Sequence, residues 1–193
     1  MPKKPSTKTR LITAATCLLD EGGPEAVTLR AVAQAVGVSH NAPYKHFKDK
    51  RAILAAVAEA SFVEMAARFR ETALKKATPL QALRVVVENY LSFARHFPAR
   101  YRLLFSDPDI SQHGGMLETE ALETFETVAN LVVAAQKSGE LAKGDPARAT
   151  ALIYATAHGL ADLELSGRTR AAKGLTDVDA VASLLLDLLT STP

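Results

Sequence analysis

Ser39-His40-Asn41-Ala42-Pro43-Tyr44-Lys45-His46-Phe47-Lys48-Asp49-Lys50 is the stretch whose reading decides the fold. A hydroxyl residue is followed by two polar residues, two small or apolar ones, an aromatic hydroxyl and alternating basic groups. All of this fits into about three helical turns. Just upstream, Thr28 is a good helix N-cap, Leu29, Val32, Ala33 and Val36 share one face, and Gly37 is a natural stop. Val38 would then plug the gap between that helix and the next. Two closely crossing helices joined by a short turn containing Gly form a helix-turn-helix. The second helix is expected from Ser39 or His40 to Phe47, and Pro43, which has no N–H, is tolerated only in its first turn. Asp49 is expected to cap a long helix running to about Lys76, roughly 40 Å of chain.

Working outward, nearly every segment shows the 3.6-residue period and none alternates over a strand length. An all-α fold follows: an N-terminal three-helix head joined by the long helix to a C-terminal helical bundle. A first helix is expected from about Thr7 to Asp20, with Leu11, Ala14, Ala15, Leu18 and Leu19 inward and Gly22-Gly23-Pro24 as its end. Thr78-Pro79 and Asp145-Pro146 each read as N-cap and first helical residue. His96-Phe97-Pro98 breaks one helix, and Ala99 to Phe105 forms a short one. Ser106 to Gly115 reads as a loop, Leu117 to Lys137 as a helix, and Thr176 as the cap of the last helix. Two domains are expected: residues 1–51 as a DNA-binding helix-turn-helix, and residues 52–193 as a helical ligand-binding and dimerisation body.

Charge supports that division. Residues 1–51 carry nine Lys and Arg against four acids, whereas the remainder carries 14 against 17. A basic head on an acidic body suits a polyanionic partner. The single cysteine, Cys17, excludes an intramolecular disulfide and is expected as a core or boundary thiol. No apolar leader or charge-free apolar run of membrane-spanning length is visible, so a soluble cytoplasmic protein without membrane contact is expected. The five His are scattered, no H-E-x-x-H occurs and no nucleophile is paired with a base. Neither catalytic residues nor a metal site nor a cofactor is expected.

For DNA the residues sort by chemistry. Thr28 and Ser39 lie at helix starts, where free N–H groups suit a phosphate. His40 and Asn41 carry edge-reading donors and acceptors, and Asn can pair with adenine through two hydrogen bonds. Ala42 and Pro43 could touch a thymine methyl. Tyr44, Lys45, His46, Lys48 and Lys50 could line the backbone, with Phe47 turned inward as the anchor.

These residues also carry a resemblance. Residues 8–57 resemble the tetracycline-repressor-like (TetR) family of transcriptional regulators. The likeness lies in Ala14-Ala15, Gly22, Val27-Thr28-Leu29-Arg30-Ala31-Val32-Ala33, Val36-Gly37-Val38-Ser39, Tyr44-Lys45-His46-Phe47, Lys50 and Leu54. The body resembles the family's His-Gly regulatory subgroup through Tyr101-Arg102-Leu103-Leu104-Phe105 and Ala157-His158-Gly159-Leu160-Ala161, although Thr156 stands where that subgroup commonly has Trp two residues before the His-Gly pair. The resemblance implies a homodimer on a pseudo-palindromic double-stranded operator, a repressor released by a small molecule.

Apolar candidates for such a ligand are Phe62, Met65, Phe69, Tyr90, Phe93, Phe97, Tyr101, Phe105, Phe125, Tyr154 and His158, a spacing that ordinary core would also show. The last two helices, about 146–166 and 177–190, have apolar surfaces too wide for one chain to cover and are expected to pair across a two-fold axis. The alternatives are a DNA-binding homodimer without an effector, of nucleoid or constitutive type, and a helical ligand binder that does not touch DNA.

Overall fold

The computed structural model of the chain describes residues 5–111 and 116–190. Its α-helices are α1 (Thr7–Ala26), α2 (Leu29–Val36), α3 (Lys50–Lys75), α4 (Pro79–His96), α5 (Pro98–Phe105), α6 (Pro108–Ser111), α7 (Met116–Lys137), α8 (Pro146–Leu165) and α9 (Val178–Leu188). Short 3-10 turns lie at Pro43–Lys45 and Ala171–Lys173. Among the described residues the one β-type pairing is an isolated bridge between Leu141 and Thr190. The fold is all-α, as periodicity implied.

Packing divides the chain into two compact units. One comprises Met1–Glu64 and Phe97–Ala121, the other Met65–His96 and Leu122–Pro193. A division at residue 51, drawn from charge and motif, marks a change of chemistry; the packing division falls later, inside α3.

In the first unit Leu11, Ala15 and Leu19 of α1 are buried at i, i+4 and i+8 against α2 and α5. Ser6 caps α1, its Oγ accepting from Thr9 N–H at 3.1 Å. The helix outlasts its expected end at Asp20 and breaks at Gly23, whose φ of 70° and ψ of −174° no helix accommodates. Cys17 is exposed, against expectation. It lies two residues from both Ala15 and Leu19, which turns it about 200° from their stripe.

α2 is capped by Thr28, whose Oγ1 accepts from Ala31 N–H at 3.0 Å. It ends at Gly37 in the left-handed region, φ 72°. There Gly37 N–H donates to Gln34 O at 3.1 Å and Val38 N–H to Ala33 O at 3.0 Å. This paired closure satisfies two otherwise orphaned carbonyls.

In the second unit α4 buries Ala82, Leu83, Val86, Val87, Tyr90, Leu91 and Ala94 against α8 and α9. Pro98 ends the run, since it cannot donate into α4's ladder and instead opens α5. Asp145 caps α8. α9 is capped by Asp177, accepting from Ala180 N–H at 3.0 Å, one residue later than the Thr176 expected. Arg95 binds Glu164 of α8 at 2.8 Å and Asp179 of α9 at 2.5 Å, and Arg84 binds Asp187, so α4 is pinned at both ends. The expected loop from Ser106 to Gly115 lies partly outside the described residues; its described part contains α6.

A Cβ at Gly37 would meet nothing within 4 Å. The cost of substitution there is therefore purely of backbone. Gly37→Ala is expected to lose about 1–2 kcal/mol, and Gly37→Asn less, both read from urea denaturation midpoints.

Candidate nucleic-acid interface

The stretch expected as a recognition helix from His40 to Phe47 is shorter and tighter than that. His40 to Ala42 form a turn and Pro43–Lys45 a 3-10 turn. Ala42 N–H donates to Ser39 O at 2.9 Å, Lys45 N–H to Ala42 O at 3.2 Å and His46 N–H to Pro43 O at 2.9 Å, all three residues back. Only Phe47 N–H reaches four back, to Pro43 O at 2.9 Å. The cause is Pro43: an α-helix begun at Ser39 needs an N–H at 43 to meet the carbonyl at 39, and proline has none. The Ser39 carbonyl closes the turn instead, and the cap residue Ala42 has no side-chain cap bond.

Two buried side chains hold this turn. Phe47 is 4% exposed and Pro43 is buried. Pro43 therefore faces the core and leaves the set of base-reading candidates. The residues between and beside them are mostly outward: His40, Asn41, Lys45, His46 and Lys48 are exposed and Tyr44 is 61% exposed, while Ala42 is half-buried. Thr28 and Ser39 are exposed at the two ends of α2 and its turn. Lys50 is half-buried and pairs with Glu25 at 3.5 Å, so its charge is partly engaged within the chain. Asp49 Oδ1 accepts from Ala52 N–H at 2.9 Å and starts α3 as expected.

One positioning contact was not anticipated. Arg10 of α1 donates through Nη2 to the Val36 carbonyl at 2.8 Å, capping α2 beside Gly37. A basic residue near the start of a chain reads as a solvated charge until the fold brings a helix C-terminus to it.

Residues 11–57 match the family model for "Bacterial regulatory proteins, tetR family". Residues 83–189, more than half the chain, match that for "Tetracyclin repressor-like, C-terminal domain". The chain belongs to the TetR family. That is a family of DNA-binding transcriptional regulators, not of enzymes. The class A tetracycline repressor of transposon 1721, from Escherichia coli, is 46% identical over 54 residues, which cover 28% of this chain and 25% of that one. The chain thus spans about a quarter of the length of the curated relative it matches.

Solved structures agree in fold over nearly the whole length. A Rhodococcus sp. RHA1 protein of unknown function superposes with TM-score 0.78 and 26% identity, covering 97% of this chain and 95% of that one. A TetR-family regulator from Pectobacterium atrosepticum gives 0.74 and 24%, over 97% and 95%. The Bacillus subtilis regulator FadR, solved in complex with stearoyl-CoA, gives 0.68 and 21%, over 94% and 97%.

The ligand candidates of this TetR-family chain fall into two sets. Phe62, Phe97, Tyr101 and Phe105 belong to the first unit, where Phe105 meets Phe62 edge-on at 5.6 Å and Tyr101 at 5.2 Å. Met65, Phe69, Tyr90, Phe93, Phe125, Tyr154 and His158 belong to the second. There a ladder of rings crosses α4, α8 and α7: Tyr90 to His158 at 4.9 Å, His158 to Tyr154 at 3.9 Å, and Tyr154 edge-on to Phe125 at 5.4 Å. A small cleft between α4 and α9, with room for about one water, is lined by other residues, among them Arg84, Val87, Asp179 and Leu186.

His158 is the member of the ladder that titrates near neutral pH in the unfolded chain. Its Nδ1 lies 3.0 Å from the Tyr154 carbonyl, so Nδ1 carries a proton and, in the neutral ring, Nε2 is an acceptor. Burial pushes its pKa below 6.5, opposed in part by that bond and by Asp162. A folded-state pKa below the unfolded value makes the unfolded chain bind the proton first. The contribution is fully present above pH 6.5 and is lost as pH falls through the folded pKa. His158→Phe, which keeps the ring contacts, is expected to lose less stability than the parent between pH 7.5 and 5, measured by denaturant midpoints.

Proposed function

We propose that this chain is a sequence-specific transcriptional repressor that binds a palindromic operator as a homodimer and leaves it when a small apolar ligand occupies the body. The observation that carries the DNA half is the reading turn. Two buried anchors, Pro43 and Phe47, hold a rigid turn whose outward residues combine edge-reading groups (His40, Asn41) with Tyr44, Lys45, His46 and Lys48. A merely solvated basic surface needs no such anchoring. In this reading Asn41 and His40 read bases, Thr28 and Ser39 meet phosphate, and Lys50 adds charge weakened by Glu25.

The dimer half rests on α8 and α9. Leu152, Leu184 and Leu188 are exposed, the last by 75%. Gly159 sits inside α8, where glycine costs roughly 0.5–1 kcal/mol against alanine, yet a Cβ there would meet nothing within 4 Å. Nothing among the described residues requires that glycine, whereas a second helix approaching closely would. An antiparallel crossing centred on Ala155 sets Arg148 of each copy opposite Asp162 of the other, the self-complementarity a two-fold interface needs.

The ligand half is supported by the Tyr90–His158–Tyr154–Phe125 ladder, stacked rings that carry an imidazole and two phenolic hydroxyls, in a body that we assign to the His-Gly subgroup. The fold-level likeness to an acyl-CoA-bound regulator makes long-chain acyl compounds the first to screen. A ligand preferring the state with wrongly spaced reading turns would shift the population off half-sites about 34–36 Å apart. In this reading the protein works in the cytoplasm, where it meets DNA.

The test is selection of duplexes from a random library by the purified protein, followed by footprinting beside its own gene. A preferred palindrome is expected, and binding of all duplexes alike would instead mean a nucleoid-type protein. On the selected duplex, Asn41→Ala is expected to cost about 1–3 kcal/mol and relax one base position. Lys45→Ala should weaken all sequences alike and lower the salt slope by about one. Equal effects of the two would overturn these roles. Leu184→Asp is expected to yield monomers in sedimentation, with the helical circular dichroism of the parent retained.

A further inference from the structure

Arg100 is a charged residue that belongs to neither the proposed DNA surface nor the set of ligand candidates, although it packs on one of them, Phe97. It lies in α5 and is only 7% exposed. Its Nε donates to Asp20 Oδ1 of α1 at 2.9 Å, its Nη1 stands 3.6 Å from Glu64 Oε2 of α3, and its guanidinium lies 3.8 Å over the Phe97 ring. All four residues belong to the first unit. Within that unit the reading turn hangs between α1 and α3: α1 packs on α2, α2 packs on the turn, and the turn leads into α3. One cation joins α1, one turn before its break at Gly23, to the middle of α3 and closes the ring.

We propose that Arg100 is a positioning residue for operator recognition, fixing α1 relative to α3 through Asp20 and Glu64 and thereby setting the attitude of the reading turn. The proposal rests on the regulator reading above.

Three features favour a positioning role over a simple contribution to stability. A buried ion pair is weak support for stability, because desolvation of both charges offsets most of the attraction. A buried guanidinium with a planar fork holds direction as well as distance, which an apolar contact does not. The acids also outnumber the cation: burial raises the Asp20 pKa, Arg100 opposes that through its hydrogen bond and charge, and Glu64 and Glu21 raise it further. Without Arg100 the like charges of Asp20 and Glu64 would repel each other across α1 and α3. Because Arg100 is buried, it makes no phosphate contact, and any effect on DNA must pass through geometry.

That gives the experiment a readout that stability does not move. Non-specific binding counts neutralised phosphates, whereas operator binding also needs the turn correctly aimed. Arg100→Met, Arg100→Lys, Asp20→Asn and Glu64→Gln are each titrated against the duplex selected by the parent protein and against a scrambled duplex of equal length. Conditions are chosen so that circular dichroism shows each variant folded. The expected result is a loss of operator affinity of roughly fivefold or more, with scrambled-duplex affinity and its salt slope unchanged. Arg100→Met combined with Asp20→Asn should lose less than the product of the single effects. If Arg100→Met does not fold, Asp20→Asn and Glu64→Gln carry the test by the same criterion. Unchanged operator affinity, or equal losses on both duplexes, overturns the proposal. A parent protein that selects no duplex overturns the regulator reading instead.

Discussion

A 3-10 turn of three residues cannot hold its own shape in water, and the outward residues proposed to read DNA depend on what holds this one. Nucleating helical structure fixes several dihedrals for few hydrogen bonds, and here the bonds mostly span three residues. Order therefore comes from outside the turn. Pro43 supplies a preset φ and a buried ring, Phe47 supplies a second buried ring, and Gly37 admits the left-handed residue that directs the chain into the turn. The outward residues inherit a fixed orientation without contributing to it. They can thus vary with the sequence to be read while the anchors stay.

The fold was legible because it is written in periods and punctuation. The i, i+4 stripes of α1 and α4, the Thr78-Pro79 and Asp145-Pro146 starts and the Gly37 stop each state their physics locally. The misses have one common source, which is direction. Cys17 sits beside Leu18 in sequence, yet the helix turns it outward. Pro43 reads as a small apolar residue within a polar run, and it faces the core. Its effect on helix length was foreseeable from the missing N–H, whereas its burial needed the tertiary fold. Arg10 and Arg100 were illegible for the same reason: their partners, the Val36 carbonyl and the carboxylates of Asp20 and Glu64, lie 26 or more residues away.

Family descent and packing draw different lines through this molecule. The match to the family's C-terminal domain starts at residue 83 and includes α5. α5 nevertheless contacts α1, α3 and α6, and it belongs to the compact unit that carries the 3-10 turn of Pro43–Lys45. The segment is inherited with the body but packed with the head. Within that unit Arg100 ties the segment to both α1 and α3.

The outward placement of Cys17 has a practical consequence. It is the sole cysteine of the chain, it is exposed, and it lies one helical turn before Asp20 on α1. A thiol-reactive fluorophore or spin label would attach once per chain with no engineering. In a homodimer the two labels would occupy equivalent places, so a single distance distribution would follow both α1 helices as DNA or ligand is added. The residue that sequence alone assigns to the core or its boundary is one through which any movement of α1 would become directly measurable.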